Sequence, residues 1–133
     1  MSEDSTETDI PIRLLIVDDE EGYVNVLANR LNRRGLDICK TYSGAEAIQT
    51  AARDTFDVVI LDLKMEDMDG IEVLKIFNRM GLRMKVIMLT GHGSQAAARE
   101  GVRLGAYDYL TKPCELGELL EKINAAYQAL EDS

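Results

Sequence analysis

A doubly wound α/β fold, with a parallel sheet covered by helices on both faces, is predicted by two observations. Three uninterrupted apolar runs, LLIV at 14–17, VVIL at 58–61 and VIML at 86–89, read as strands buried on both faces. Helix-period stretches lie between the runs, so strand and helix alternate along the chain. That alternation calls for a parallel sheet with right-handed crossovers.

The elements follow in order. After the first strand, Val24, Leu27, Ala28 and Leu31 keep an i, i+3, i+4, i+7 spacing, and Gly35 is the stop for this helix. LDICKT at 36–41 is a weaker strand. Ser43, three residues before Glu46, is a capping-box signature ahead of the helical stretch AIQTAA. The VVIL strand leads to a third helix marked by Ile71, Leu74 and Phe77 and ending near Gly81. After VIML, a fourth helix at about 94–104 is rich in Ala with an internal Gly, which predicts weak packing. YDYL at 107–110 is the fifth strand. In the last helix Leu116, Leu119, Leu120, Ile123, Tyr127 and Leu130 share one face.

The 133 residues suffice for one domain with a substantial core, and an apolar content of 46% argues against wholesale disorder. A formal charge of −9 makes the domain a poor nucleic-acid binder by itself. No run approaches the ~18 apolar residues of a membrane span. The start, MSEDSTETD, lacks the basic and apolar segments of a signal peptide, and residues 1–9 read as a disordered acidic tail. Cys39 and Cys114 have no metal-binding spacing, so free thiols in a reducing cytoplasm are expected. No linker is visible, and residues 10–131 are read as one domain with no second domain after the last helix.

In such sheets function collects at the carboxyl ends of the strands, near the switch in strand order. Asp18, Asp19 and Glu20 follow the first apolar run, Asp62 the third, Thr90 the fourth, and Lys112 with Pro113 the fifth strand. Each group alone is an ordinary turn or helix-cap residue. Together they are chemically matched. Crowded carboxylates repel one another, and a divalent cation with oxygen preference, Mg2+ in the first place, relieves that repulsion. A carboxylate such as Asp62 can then act as a nucleophile toward phosphorus, with Thr90 and Lys112 to meet phosphoryl oxygens.

The motifs LLIVDDEE, VVILDLKMEDMDG, VIMLTGHGS and GAYDYLTKPCELGELLEKI resemble the receiver domain of two-component response regulators, over about residues 11–130. The resemblance implies a flavodoxin-like (βα)5 fold with strand order 2-1-3-4-5. It implies a phosphorylation-dependent switch in which Asp62 accepts a phosphoryl group from the phosphohistidine of a sensor kinase or histidine phosphotransfer protein. Asp19 and Asp62 would bind Mg2+ (or Mn2+) directly, with the backbone carbonyl of Lys64, and Asp18 would act through metal-bound water. Lys112, preceding a cis Pro113, would contact the phosphoryl group; Thr90 would turn inward to it and Tyr109 would change rotamer. The readout face would be the fourth helix, fifth strand and fifth helix, bound by a downstream protein or output domain. The domain would catalyse its own phosphotransfer and slow dephosphorylation without being an enzyme toward other substrates. No membrane or direct nucleic-acid contact is implied, and dimerisation on phosphorylation is a further expectation.

The chain departs from the family's pattern at Glu66, where Pro commonly stands four residues after the acceptor. Lys64 and His92, two residues beyond Asp62 and Thr90, are positions that tune phosphoryl lifetime in the family. Met65, Asp67 and Met68 carry no signal of function. A haloacid dehalogenase-type phosphatase also uses an Asp nucleophile and Mg2+. It normally has a second Asp where Lys64 stands, and its nucleophile follows the first strand. A flavin module on a similar sheet would meet an acidic rim unsuited to an anionic cofactor.

Overall fold

The computed structural model describes residues 10–91 and 93–133, so the expected tail at 1–9 and the tuning position His92 lie outside the described residues. Five strands and five helices alternate: β1 (Arg13–Val17), α1 (Glu21–Arg33), β2 (Asp37–Thr41), α2 (Gly44–Arg53), β3 (Val58–Asp62), α3 (Gly70–Met80), β4 (Lys85–Thr90), α4 (Gln95–Arg103), β5 (Asp108–Thr111) and α5 (Leu116–Glu131). All neighbouring strands pair in parallel, in the order β2-β1-β3-β4-β5, as the resemblance implied.

The period-two alternation of side chains divides each apolar run between two cores. Leu15, Val17, Val59, Leu61 and Met88 face α2, α3 and α4, where Ala47, Ala51, Val73, Leu74, Phe77 and Ala98 pack against them. Leu14, Ile16, Val58, Ile60, Ile87 and Leu89 face α1 and α5, meeting Val24, Leu27, Leu31, Leu119 and Ile123. Residues 14–17 and 58–61 are all buried, which is why no polar side chain interrupts either run. The edge strand β2 is only partly covered. Burial on α4 is confined to Ala98 and Gly101, in keeping with the weak packing its composition predicts.

Helix ends follow local chemistry. Gly35 and Gly81 take left-handed φ values of 91° and 69° just beyond α1 and α3. The capping box expected at Ser43 forms only by half. Its hydroxyl accepts from the Glu46 N–H at 3.0 Å, whereas the Glu46 carboxylate accepts from the Tyr42 N–H at 2.8 Å. Ser43 is extended, so the preceding amide is the one within reach of Glu46. The reciprocal box lies at Asp69 and Glu72 and starts α3. The fifth strand runs one residue later than YDYL, because Tyr107 enters the sheet through a single 2.7 Å bond from its N–H to the Val86 carbonyl.

One glycine sets how closely α3 approaches the sheet. A Cβ on Gly70 would stand 2.5 Å from the Asp62 carbonyl oxygen and 3.0 Å from the Leu63 Cα, both backbone atoms that cannot move aside. Gly70→Ala is therefore expected to lower the unfolding free energy by at least about 2 kcal/mol. Gly22→Ala, where nothing lies within 4 Å of the new Cβ, should be neutral or stabilise by up to about 1 kcal/mol. Urea denaturation of the two variants measures both.

Candidate functional site

The sheet register brings the polar groups together before any side chain is considered. Val17 pairs with Leu61 across β1 and β3, so the next residues, Asp18 and Asp62, leave adjacent strands side by side. Asp62 itself pairs with Leu89, and Thr90 ends β4 opposite Thr111 of β5. The Lys112 N–H donates to the Thr90 carbonyl at 2.7 Å, which brings the lysine onto the same rim. This is the switch point of the sheet, since β1 has β2 on one side and β3 on the other.

The Lys112 ammonium is the hub of the side-chain network. Its Nζ lies 2.7 Å from Asp18 Oδ2, 3.2 Å from Glu20 Oε1 and 3.3 Å from Asp62 Oδ1. The Tyr23 ring, from the first turn of α1, covers it at 4.7 Å to the centroid, a cation–π contact. Asp18 is 1% exposed and its other oxygen accepts from the Glu20 N–H at 3.0 Å. Burial alone would disfavour the ammonium, yet its bond to Asp18 and the charges of Asp62 and Asp18 hold the Lys112 pKa above the ordinary lysine value.

Asp62 has the opposite difficulty. It is 7% exposed, and burial first, then the Asp18 charge, push its carboxyl up to about 6 against the pull of Lys112. Asp18, Asp19 and Asp62 each offer one oxygen, and these oxygens all lie within 4.8 Å of one another. The donor set is entirely oxygen and carries excess negative charge, which suits a hard divalent cation.

The sequence-predicted residues divide into those the fold gathers and those it holds apart. Asp18, Asp19, Asp62 and Lys112 form one cluster. Lys112 precedes a cis Pro113, as the resemblance implied. Thr90 is fully buried at the adjacent strand end, with its hydroxyl donating to the Gly91 carbonyl at 3.2 Å. Tyr109 packs half-buried against the core under α2, α3 and α4. Lys64 is exposed, and its ammonium joins none of the ion pairs among the described residues. Glu66 reaches the site through its backbone, its N–H donating to Asp19 Oδ2 at 3.0 Å.

Three contributors escaped the sequence reading. Glu20 was placed on the rim but given no role; it supplies a further carboxylate to Lys112. Tyr23 lies four residues beyond Asp19, a spacing that returns it to the same side of a helix start, and this was the available signal. Asp67 was read as unremarkable. Its two carboxylate oxygens accept from the Gly44 and Ala45 N–H groups at 3.0 and 2.9 Å, and these bonds hold its carboxyl below the usual range.

Residues 14–124 match the family model for the response regulator receiver domain. The chain is 36% identical to the transcriptional regulatory protein GlrR of Escherichia coli (strain K12), over 92% of this chain and 26% of that protein. It is 35% identical to the alkaline phosphatase synthesis transcriptional regulatory protein PhoP of Bacillus subtilis (strain 168), over 85% of this chain and 47% of that protein. The chain thus spans about a quarter to a half of these relatives. Among solved structures, it is similar to the signal receiver domain of a putative Luxo repressor protein from Vibrio parahaemolyticus. That match has a TM-score of 0.86 and 30% identity, and covers 92% of this chain and 94% of that one. A CheY-like response regulator receiver domain from Methanospirillum hungatei JF-1 matches with a TM-score of 0.85 at 29% identity, over 92% and 98% of the two chains.

The electrostatics of Asp62 set a pH dependence of stability in metal-free buffer. Its folded pKa lies above the unfolded value of 3.8, so ionising it costs stability as pH rises through the window from about 4 to about 6. Asp62→Asn should therefore be more stable than the parent at pH 7.5, by on the order of 2 kcal/mol, with the advantage gone at pH 4. Urea denaturation of both proteins in EDTA at the two pH values measures the difference.

Proposed function

The chain belongs to the response regulator receiver family, whose domains are phosphorylation-dependent switches of two-component signalling, and we propose that Asp62 is its phosphoacceptor. The observation that carries the assignment is the position of the Asp62 carboxylate, buried at the end of β3 and 3.3 Å from Lys112 in a cluster of three acidic side chains. No other carboxylate in that cluster ends a strand buried along its full length.

In this reading a phosphohistidine of a sensor kinase or histidine phosphotransfer protein is the donor. An Asp62 oxygen attacks phosphorus, the P–N bond breaks, and its electron pair leaves with the imidazole nitrogen. The product is an acyl phosphate on Asp62. A carboxyl pushed up to about 6 is still ionised at neutral pH, while its burial leaves it poorly hydrated and ready to react. Lys112 neutralises charge on the transferring phosphoryl oxygens and keeps Asp18 paired meanwhile. The Thr90 hydroxyl, now on the Gly91 carbonyl, rotates to donate to a phosphoryl oxygen, and Tyr109 follows into the space released. Asp18, Asp19, Asp62 and the Lys64 carbonyl would hold Mg2+ or Mn2+, which supplies positive charge toward the phosphoryl oxygens when bound.

The phosphoryl group adds about −1.5 to −2 charges to an already acidic rim. The element best placed to respond is α4, which follows Thr90 and buries only Ala98 and Gly101. A shift of α4 with β5 and α5 would present a new face to a downstream protein, to an output domain or to a second copy of the chain. The folded unit is taken as residues 10–131, and its setting as the cytoplasm. Slow hydrolysis of the acyl phosphate by water resets the switch. None of these steps calls for turnover of a separate substrate.

Incubation with acetyl phosphate and Mg2+ is expected to add a single phosphoryl group, read by intact-protein mass. Asp62→Asn and the parent protein in EDTA should show none. An adduct that persists undiminished in Asp62→Asn would contradict the assignment.

A further inference from the structure

The segment 63–69, between β3 and α3, carries Glu66 in place of the family's Pro and so lacks that residue's fixed φ. Other contacts hold it. At its far end the Gly70 N–H donates to the Leu63 carbonyl at 2.7 Å, closing the loop. In its middle, Asp67 spans to the first turn of α2, accepting from the Gly44 and Ala45 N–H groups. Those amides have no partner within their own helix, so Asp67 satisfies two donors with one carboxylate, in the favourable sense of the helix dipole. Met68 lies over the same helix start: a Cβ on Gly44 would fall 2.4 Å from the Met68 Cγ. Glu66, immediately before Asp67, has the N–H that a Pro would lack, and donates it to Asp19 Oδ2 at 3.0 Å.

We propose that Asp67 is a positioning residue for the acidic site: by fastening the loop to α2 it holds the Glu66 N–H on Asp19, and thereby sets how tightly the carboxylate cluster takes a divalent cation. The inference rests on the proposed cation site. Its logic is short. Asp19 is only half-buried and makes no ion pair among the described residues, so its rotamer depends on the Glu66 N–H. That donor sits on a loop whose polar side-chain attachment to α2 is Asp67, beside the apolar contacts of Leu63, Met65 and Met68 with the core. Fixing one oxygen of Asp19 leaves the other committed to the cluster, and a site fixed beforehand binds without a further ordering cost. Loss of the Asp67 anchor loosens the middle of the loop, and with it the Glu66 amide, Asp19 in turn, and the Lys64 carbonyl, three residues before Asp67.

A general loss of stability must be separated from this effect. Ser43→Ala removes a side-chain cap from the same helix, since Ser43 Oγ accepts from the Glu46 N–H, but leaves the loop attached. Mg2+ binding to the unphosphorylated proteins is measured by isothermal titration calorimetry, alongside urea midpoints and exchange of the Glu66 amide proton. Asp67→Ala should weaken Mg2+ binding by about three- to tenfold, comparable to one lost hydrogen bond of ordinary net strength, and speed exchange at Glu66. Asp67→Asn, which keeps one acceptor oxygen, should recover part of both. Ser43→Ala should lower the urea midpoint while leaving Mg2+ affinity at the parent value. Parent-like Mg2+ affinity in Asp67→Ala, or equal weakening in Ser43→Ala, would overturn the proposal. A parent protein that binds no Mg2+ would overturn the cation site itself, and with it the role of the clamp.

Discussion

Four carboxylates, Asp18, Asp19, Glu20 and Asp62, share the rim where β1, β3 and β5 end with one ammonium among the described residues, that of Lys112. Asp18 and Asp62 cannot retreat into water, because each directly follows or ends a strand buried on both faces. Lys112 bonds Asp18 at 2.7 Å and leans on Asp62 at 3.3 Å, so one cation is divided among more negative charge than it can neutralise. The imbalance is visible in Asp62, whose carboxyl is pushed up to about 6. A site in this condition gains from any positive charge brought to it. The same crowding leaves the Asp62 carboxylate poorly solvated, which suits a nucleophile.

The fold keeps this arrangement from relaxing. Two apolar layers clamp β1, β3 and β4, so the strand ends cannot splay apart to separate the charges. Gly70 lets the start of α3 press against the Asp62 carbonyl at the end of β3. Tyr23 covers Lys112 from the side of α1, and burial pushes its phenol up to about 12. Packing is light in one helix beside the site. The helix after Thr90 buries little, so a change at the end of β4 meets less resistance there than in α1, α3 or α5. Rigidity around the charges and slack beside them are what a switch requires.

Much of this was legible in the residues, for definable reasons. Strands buried on both faces have no freedom to include polar side chains, so LLIV, VVIL and VIML marked themselves. The edge strands were weaker signals because burial constrains them less, and β5 was displaced by one residue. The cluster could be anticipated because parallel strands put their successors on one rim, whichever strand order holds. What stayed hidden depends on approach between distant segments. Asp67 meets Gly44 and Ala45 across more than twenty residues of chain, and nothing local to Asp67 announces it. The half-formed cap at Ser43 shows the reverse error, a local pattern whose second bond went to the neighbouring amide. The departure at Glu66 was visible in the sequence, while its consequence, an amide bonded to Asp19, depends on the approach of two segments far apart in the chain.

The carboxylates at this rim are held in excess over the Lys112 ammonium until a further positive charge arrives. The direct measurement is a carbon-13 NMR titration of the Asp62 side-chain carboxyl, first in EDTA and then in saturating Mg2+. A midpoint near 6 is expected without the cation, falling to or below the ordinary carboxylate range when it is present. A midpoint already at the ordinary value in EDTA, and unmoved by Mg2+, would contradict it.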